Sequence, residues 1–153
     1  MSGSLLVVDI GNTNAKCGRV ENGEVSEIQR FSHKTDPGTV FAELEAHYGA
    51  DPLEAVAVAS VVPDRTPVWM NECAERLKVP VWELRPGDTQ PIPVDVPEPR
   101  TVGADRLANA IAALHRVRGP VMVADFGTAL TFDVATPERG YIGGVIAPGM
   151  DLM

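Results

Sequence analysis

The stretch Leu5-Leu6-Val7-Val8-Asp9-Ile10-Gly11-Asn12-Thr13-Asn14-Ala15-Lys16-Cys17-Gly18 runs an apolar strand into a tight turn and out along a second strand. A near copy returns at Val121-Met122-Val123-Ala124-Asp125-Phe126-Gly127-Thr128-Ala129-Leu130-Thr131-Phe132-Asp133. Glycine admits positive φ and close backbone approach, so N–H groups in either loop can converge on an anion, with the Thr13 or Thr128 hydroxyl as an added donor. The aspartate ending each first strand supplies the complementary chemistry: a carboxylate that holds hydrated Mg²⁺ or another cation. Either loop alone reads as an ordinary hairpin turn. Both copies, however, continue into a second strand and a charged turn, at Glu21-Asn22-Gly23 and at Pro137-Glu138-Arg139-Gly140. An internal duplication explains this, and a nucleotide gripped from both sides is the function it implies.

Composition narrows the partners. A net charge of -8 without a run of Lys or Arg repels the nucleic-acid backbone, so no nucleic acid is expected. A small anionic substrate stays open, because it needs only local N–H groups, one or two cationic side chains and a metal. Cys17 and Cys73 form no C-x-x-C arrangement, which argues against a disulfide framework or zinc site and fits a reducing cytoplasm. His33, His47 and His115 stand apart and read as surface or helix residues. No apolar run reaches membrane-spanning length, and Leu5 to Val8, cut short by Asp9, reads as a strand.

Between the two copies the pattern predicts strands at Leu5–Ile10, Ala15–Val20 and Glu24–Phe31, a helix over Thr39–Tyr48 and a strand at Ala55–Ser60. A second helix over Pro63–Leu77 and a strand at Val81–Leu84 follow. Arg85 to Arg100 carries Pro86, Pro91, Pro93, Pro97 and Pro99 and is expected as a crossing loop. Ala104 to Arg116, with Leu107, Ile111 and Leu114 on one face, is the strongest helix. Strands at Val121–Asp125, Leu130–Val134 and Tyr141–Ile146 complete the pattern. The expected fold is α/β, a mixed sheet of βββαβαβα order, duplicated, with domains at 1–119 and 120–153. Three strands without helical cover leave an apolar face exposed, so the second domain is expected to be incomplete.

Four motifs in this order carry a resemblance: Asp9-Ile10-Gly11-Asn12-Thr13-Asn14, Gly103-Ala104-Asp105-Arg106, Asp125-Phe126-Gly127-Thr128-Ala129 and Gly143-Gly144-X-Ile146-X-Pro148-Gly149. Together they resemble the type III pantothenate kinases, within the actin-like (ribonuclease H-like), sugar-kinase and Hsp70 ATPase superfamily. The first and third motifs point only to the superfamily; Val102-Gly103-Ala104-Asp105-Arg106-Leu107-Ala108-Asn109-Ala110-Ile111-Ala112-Ala113 is the specific one. The resemblance implies ATP-dependent phosphorylation of pantothenate on the way to coenzyme A, in a truncated, homodimeric form. It implies that Asp9, Ile10, Gly11, Asn12, Thr13, Asn14, Ala15 and Lys16 wrap the ATP phosphates, with Asp9 organising Mg²⁺ through water, and that Thr128 contacts the nucleotide. Asp125 would bind the monovalent cation, K⁺ or NH₄⁺. Gly103, Ala104, Asp105 and Arg106 would hold pantothenate, with Asp105 as the catalytic base. Another small-molecule kinase of the superfamily, or a non-catalytic binding protein derived from it, is the alternative.

Physical chemistry bears on three of these roles. Asp105 falls in the first turn of a helix, where the macrodipole favours its ionised form; phosphoryl transfer asks only that it orient a hydroxyl and accept a proton late. Arg106 in the same turn opposes the dipole, which calls for an anionic partner, either a substrate group or a surface ion pair. Lys16 can touch phosphate or, by strand alternation, point into solvent. Many family members carry a tyrosine shortly before the Gly-Ala-Asp-Arg motif, whereas Val94-Asp95-Val96-Pro97-Glu98 has none.

Overall fold

A computed structural model describes residues 3–26, 28–32, 34–48, 52–88 and 91–149. Packing divides them into two compact units, at Leu84/Arg85.

The first unit is built on β1 (Ser4–Ile10), β2 (Asn14–Glu21), β3 (Glu24–Val25), β4 (Gln29–Ser32), α1 (Pro37–Tyr48), β5 (Leu53–Ser60), α2 (Thr66–Leu77) and β6 (Val81–Glu83). Its sheet has the order β3-β2-β1-β5-β6, with β4 also on β2. β1 and β2 are antiparallel, whereas β1, β5 and β6 run parallel, so the sheet is mixed as expected. Strand alternation puts Leu6, Val8 and Ile10 on one face with Ala15, Cys17, Val56 and Val58. That face takes Val40, Phe41 and Leu44 of α1 and Trp69 and Cys73 of α2, forming the core.

The third strand expected over Glu24–Phe31 is two short strands. Val25 pairs with Val20 and Gln29 with Cys17, so the two pairings on β2 are out of step by one residue. Glu27, His33 and Gly49 lie outside the described residues. α1 begins earlier than expected because Asp36 caps it, its carboxylate accepting from the Thr39 N–H at 3.2 Å with Pro37 in the first turn. α2 begins later, at Thr66, whose hydroxyl donates to the Val62 carbonyl at 3.0 Å.

The second unit holds a short 3-10 turn (Pro99–Thr101), α3 (Ala104–Arg116) and an antiparallel sheet of β7 (Val121–Phe126), β8 (Ala129–Thr136) and β9 (Gly140–Pro148) in that order. α3 packs on all three of these strands, with Ala104, Leu107 and Ala110 buried. This is why packing divides the chain before α3, whereas the sequence repeat begins after it. The described residues of the proline-rich segment form a loop up to the 3-10 turn, clipped to β9: the Tyr141 N–H donates to the Pro93 carbonyl at 2.9 Å and the Asp95 N–H to the Tyr141 carbonyl at 2.8 Å. Gly140, at φ 67°, makes that approach possible, because a Cβ there would strike the Pro93 backbone. The sheet's other face is apolar and exposed at Met122 (68 %), Phe126 (69 %) and Val145 (62 %).

Candidate functional site

In the first unit, Ile10 pairs with Ala15, and the Gly11 N–H donates to the Asn14 carbonyl at 2.9 Å. Asn12 and Thr13 are therefore the exposed tip of a tight hairpin. Gly11 does not adopt positive φ, contrary to the reason expected for it. A Cβ there would instead press on the Asn14 carbonyl at 3.2 Å, so compactness of the turn is what glycine provides. Asp9 lies directly opposite Lys16 in the ladder, on the sheet face away from α1 and α2. The Lys16 ammonium sits 3.2 Å from the Asp9 carboxylate, and both side chains are partly exposed. Lys16 thus shares a face with Asp9, a neighbour that strand alternation alone left undecided. A carboxylate and an ammonium side by side above an exposed turn present both charges that a hydrated Mg²⁺–phosphate unit requires. A single carboxylate fits Mg²⁺ held largely through water, and no group of three or more His, Cys, Asp or Glu forms among the described residues.

In the second unit, Gly103 stands in extended conformation just before α3, and the motif residues Ala104, Asp105 and Arg106 form its first turn. An Asp105 carboxylate oxygen accepts the Arg106 N–H at 2.7 Å. The anionic partner that Arg106 calls for is Asp133, in the middle of β8. Arg106 Nε donates to Asp133 Oδ1 at 2.7 Å, and Nη2 lies at the same distance from that oxygen. The Tyr141 hydroxyl donates to Oδ1 as well, at 2.7 Å. Burial and that hydrogen bond push the Tyr141 phenol from 10.0 up to about 12. One helical turn beyond Asp105, the Asn109 amide donates to Asp125 Oδ2 at 3.2 Å, joining α3 to the end of β7. Asp125 is exposed, so its carboxylate fits a monovalent cation that completes its shell from water, backbone or nucleotide oxygens. Thr128 lies at the tip of the second hairpin, where the Gly127 N–H donates to the Ala129 carbonyl at 3.0 Å. Gly127 also lacks positive φ. Gly149 packs against the carbonyls of Gly127 and Thr128, where a Cβ would collide with both.

The family model for type III pantothenate kinase matches residues 5–153. The chain belongs to the type III pantothenate kinase family. A type III pantothenate kinase from Myxococcus xanthus is 38% identical over 97% of this chain, which spans 60% of the length of that relative. Among solved structures, the chain is similar to a Pseudomonas aeruginosa protein related to peptidase YeaZ, with a TM-score of 0.52, 14% identity, and coverage of 95% of this chain and 67% of the other. It is also similar to a candidate N-acetylglucosamine kinase from Porphyromonas gingivalis, with a TM-score of 0.53, 15% identity, and coverage of 92% and 47%. These likenesses show the actin-like α/β fold. The first loop closes the β1–β2 hairpin, and the Gly-Ala-Asp-Arg segment opens α3.

Sequence reading missed Asn109, Asp133, Tyr141 and the reasons for Gly144 and Gly149. Asp133 stands between Phe132 and Val134. Alternation there signals a strand but does not reveal which face receives a helix.

Proposed function

We propose that the chain transfers the γ-phosphoryl group of ATP to the primary hydroxyl of pantothenate, giving 4'-phosphopantothenate. The observation that carries this reading is the first turn of α3, where Asp105 and an ion-paired Arg106 stand together on a helix that Asn109 joins to Asp125. In this reaction the pantothenate oxygen forms the new bond to phosphorus as the bond to ADP breaks, and the hydroxyl proton passes to the Asp105 carboxylate. Gly103 to Arg106 hold the acceptor. Asp9 to Lys16 bind the triphosphate, and Thr128 contacts the nucleotide. Mg²⁺ at Asp9 supplies neutralisation of phosphate charge, and K⁺ or NH₄⁺ is assigned to Asp125. We assign the duplicated second domain to start after Gly119, at β7. A cytoplasmic homodimer is part of the same reading; the reduced, buried Cys17 and Cys73 support the compartment.

Incubation with ATP, Mg²⁺ and pantothenate in K⁺, NH₄⁺ or Na⁺, followed by mass spectrometry, tests the reading. Phosphopantothenate is expected, and Asp105→Asn should lower kcat by about 100- to 10,000-fold with little change in ATP affinity. ATP turnover without phosphopantothenate would identify a different acceptor. Absence of both binding and transfer would favour a non-catalytic protein.

A further inference from the structure

Arg106 does more than project from the start of a helix. Its guanidinium lies on the second sheet, in a seat whose other members come from β8 and β9. Asp133 has a side chain that is 0 % exposed, and its Oδ1 receives Arg106 Nε and Tyr141 Oη, each at 2.7 Å. Gly144 lies opposite Asp133 in the ladder, and a Cβ on it would strike Arg106 Nη2 and Asp133 Oδ1. Three separate features of β8 and β9 therefore serve one side chain: a buried anion, a hydroxyl that fixes the anion, and a missing methyl group that makes room.

We propose that Asp133, held by Tyr141 and accommodated by Gly144, is a positioning residue that aims the Arg106 guanidinium at the anionic group of the acceptor. This rests on the acceptor reading above. A buried ion pair is a poor way to gain stability, since desolvation offsets much of the attraction. It is an effective way to fix direction, because the guanidinium is rigid and planar. The Nε bond to Asp133 Oδ1 fixes the plane of the guanidinium and leaves its two Nη nitrogens for a carboxylate, so the ordering cost is met before the ligand arrives. Nη2, 2.7 Å from Oδ1, is buried and makes no hydrogen bond among the described residues. Asp133 Oδ2 has no hydrogen-bond partner among the described residues. The contact is thus gathered on one oxygen, the one that Tyr141 also fixes.

The test compares the wild-type chain with Arg106→Ala, Asp133→Asn, Tyr141→Phe and the double variant Arg106→Ala/Asp133→Asn. Calorimetry gives pantothenate and ATP affinities, steady-state kinetics separates KM from kcat, and circular dichroism follows folding. Asp133→Asn should weaken pantothenate binding on the order of 10- to 100-fold, with ATP affinity unchanged. The double variant should be no weaker for pantothenate than Arg106→Ala, because the two residues act as one unit. Should Asp133→Asn fail to fold, Tyr141→Phe keeps the ion pair and should still raise the pantothenate Kd about threefold. Normal pantothenate affinity in both Asp133→Asn and Tyr141→Phe, while Arg106→Ala binds weakly, overturns the proposal alone. So do additive effects in the double variant, or equal losses for ATP and pantothenate. A wild-type chain that binds no pantothenate, or an Arg106→Ala chain that binds it normally, overturns the acceptor reading and the proposal with it.

Discussion

The Tyr141 hydroxyl and the thiols of Cys17 and Cys73 share one property: each is kept protonated by its surroundings. Burial, then the bond to Asp133, raises the Tyr141 phenol to about 12. Burial alone is the main cause for both thiols, which rise from 9.0 to about 12. A folded-state pKa above the unfolded value means that the folded chain binds more protons in the interval between them. These groups therefore contribute stability that is fully present below pH 9.0 and is lost as pH rises towards 12. Urea unfolding midpoints should fall across that window, and tyrosinate absorbance should show a late-titrating phenol that Asp133→Asn moves back towards 10.0. An unchanged tyrosinate titration in Asp133→Asn would contradict the hydrogen bond. The contrasting case at this scale is the Asp9–Lys16 pair, whose side chains are 38% and 43% exposed. Solvent screening limits such a pair to about 0–1 kcal/mol, so its value lies in the charges it displays.

Among elements, the two hairpins show how one sequence pattern serves two turns. The first closes through Gly11 and Asn14, and the second, one residue tighter, through Gly127 and Ala129. The end of β9 braces the second, because Gly149 lies against the carbonyls of Gly127 and Thr128. Gly149→Ala puts a methyl group where those carbonyls are. It should destabilise the chain by about 1–3 kcal/mol in urea unfolding, with ATP affinity reduced along with it. Wild-type stability would show that the loop moves aside at no cost. The order of elements was legible in the sequence because strand alternation and the Leu107, Ile111 and Leu114 stripe are local signals. The one-residue offset between the pairings of β3 and β4 on β2 was not, since it depends on the register between strands.

At the scale of the molecule, the second sheet presents Met122, Phe126 and Val145 on a face opposite α3. Exposed apolar surface of this kind binds hydrophobic dyes. The native chain should enhance the fluorescence of anilinonaphthalene sulfonate, and Phe126→Lys with Val145→Lys should lower that signal without loss of secondary structure. Equal fluorescence in the variant would place the dye elsewhere. What the sequence determined by itself is the succession of strands and helices, the duplicated Asp-X-Gly loops and the family motif on α3, because periodicity, turn chemistry and contiguous motifs are written in neighbouring residues. Only the tertiary structure decided that Lys16 stands beside Asp9, that Asn109 meets Asp125, and that Arg106 rests on Asp133 beneath Tyr141. Those contacts join residues 7, 16, 27 and 8 positions apart. Strand register and helix packing, which no local pattern records, bring them together.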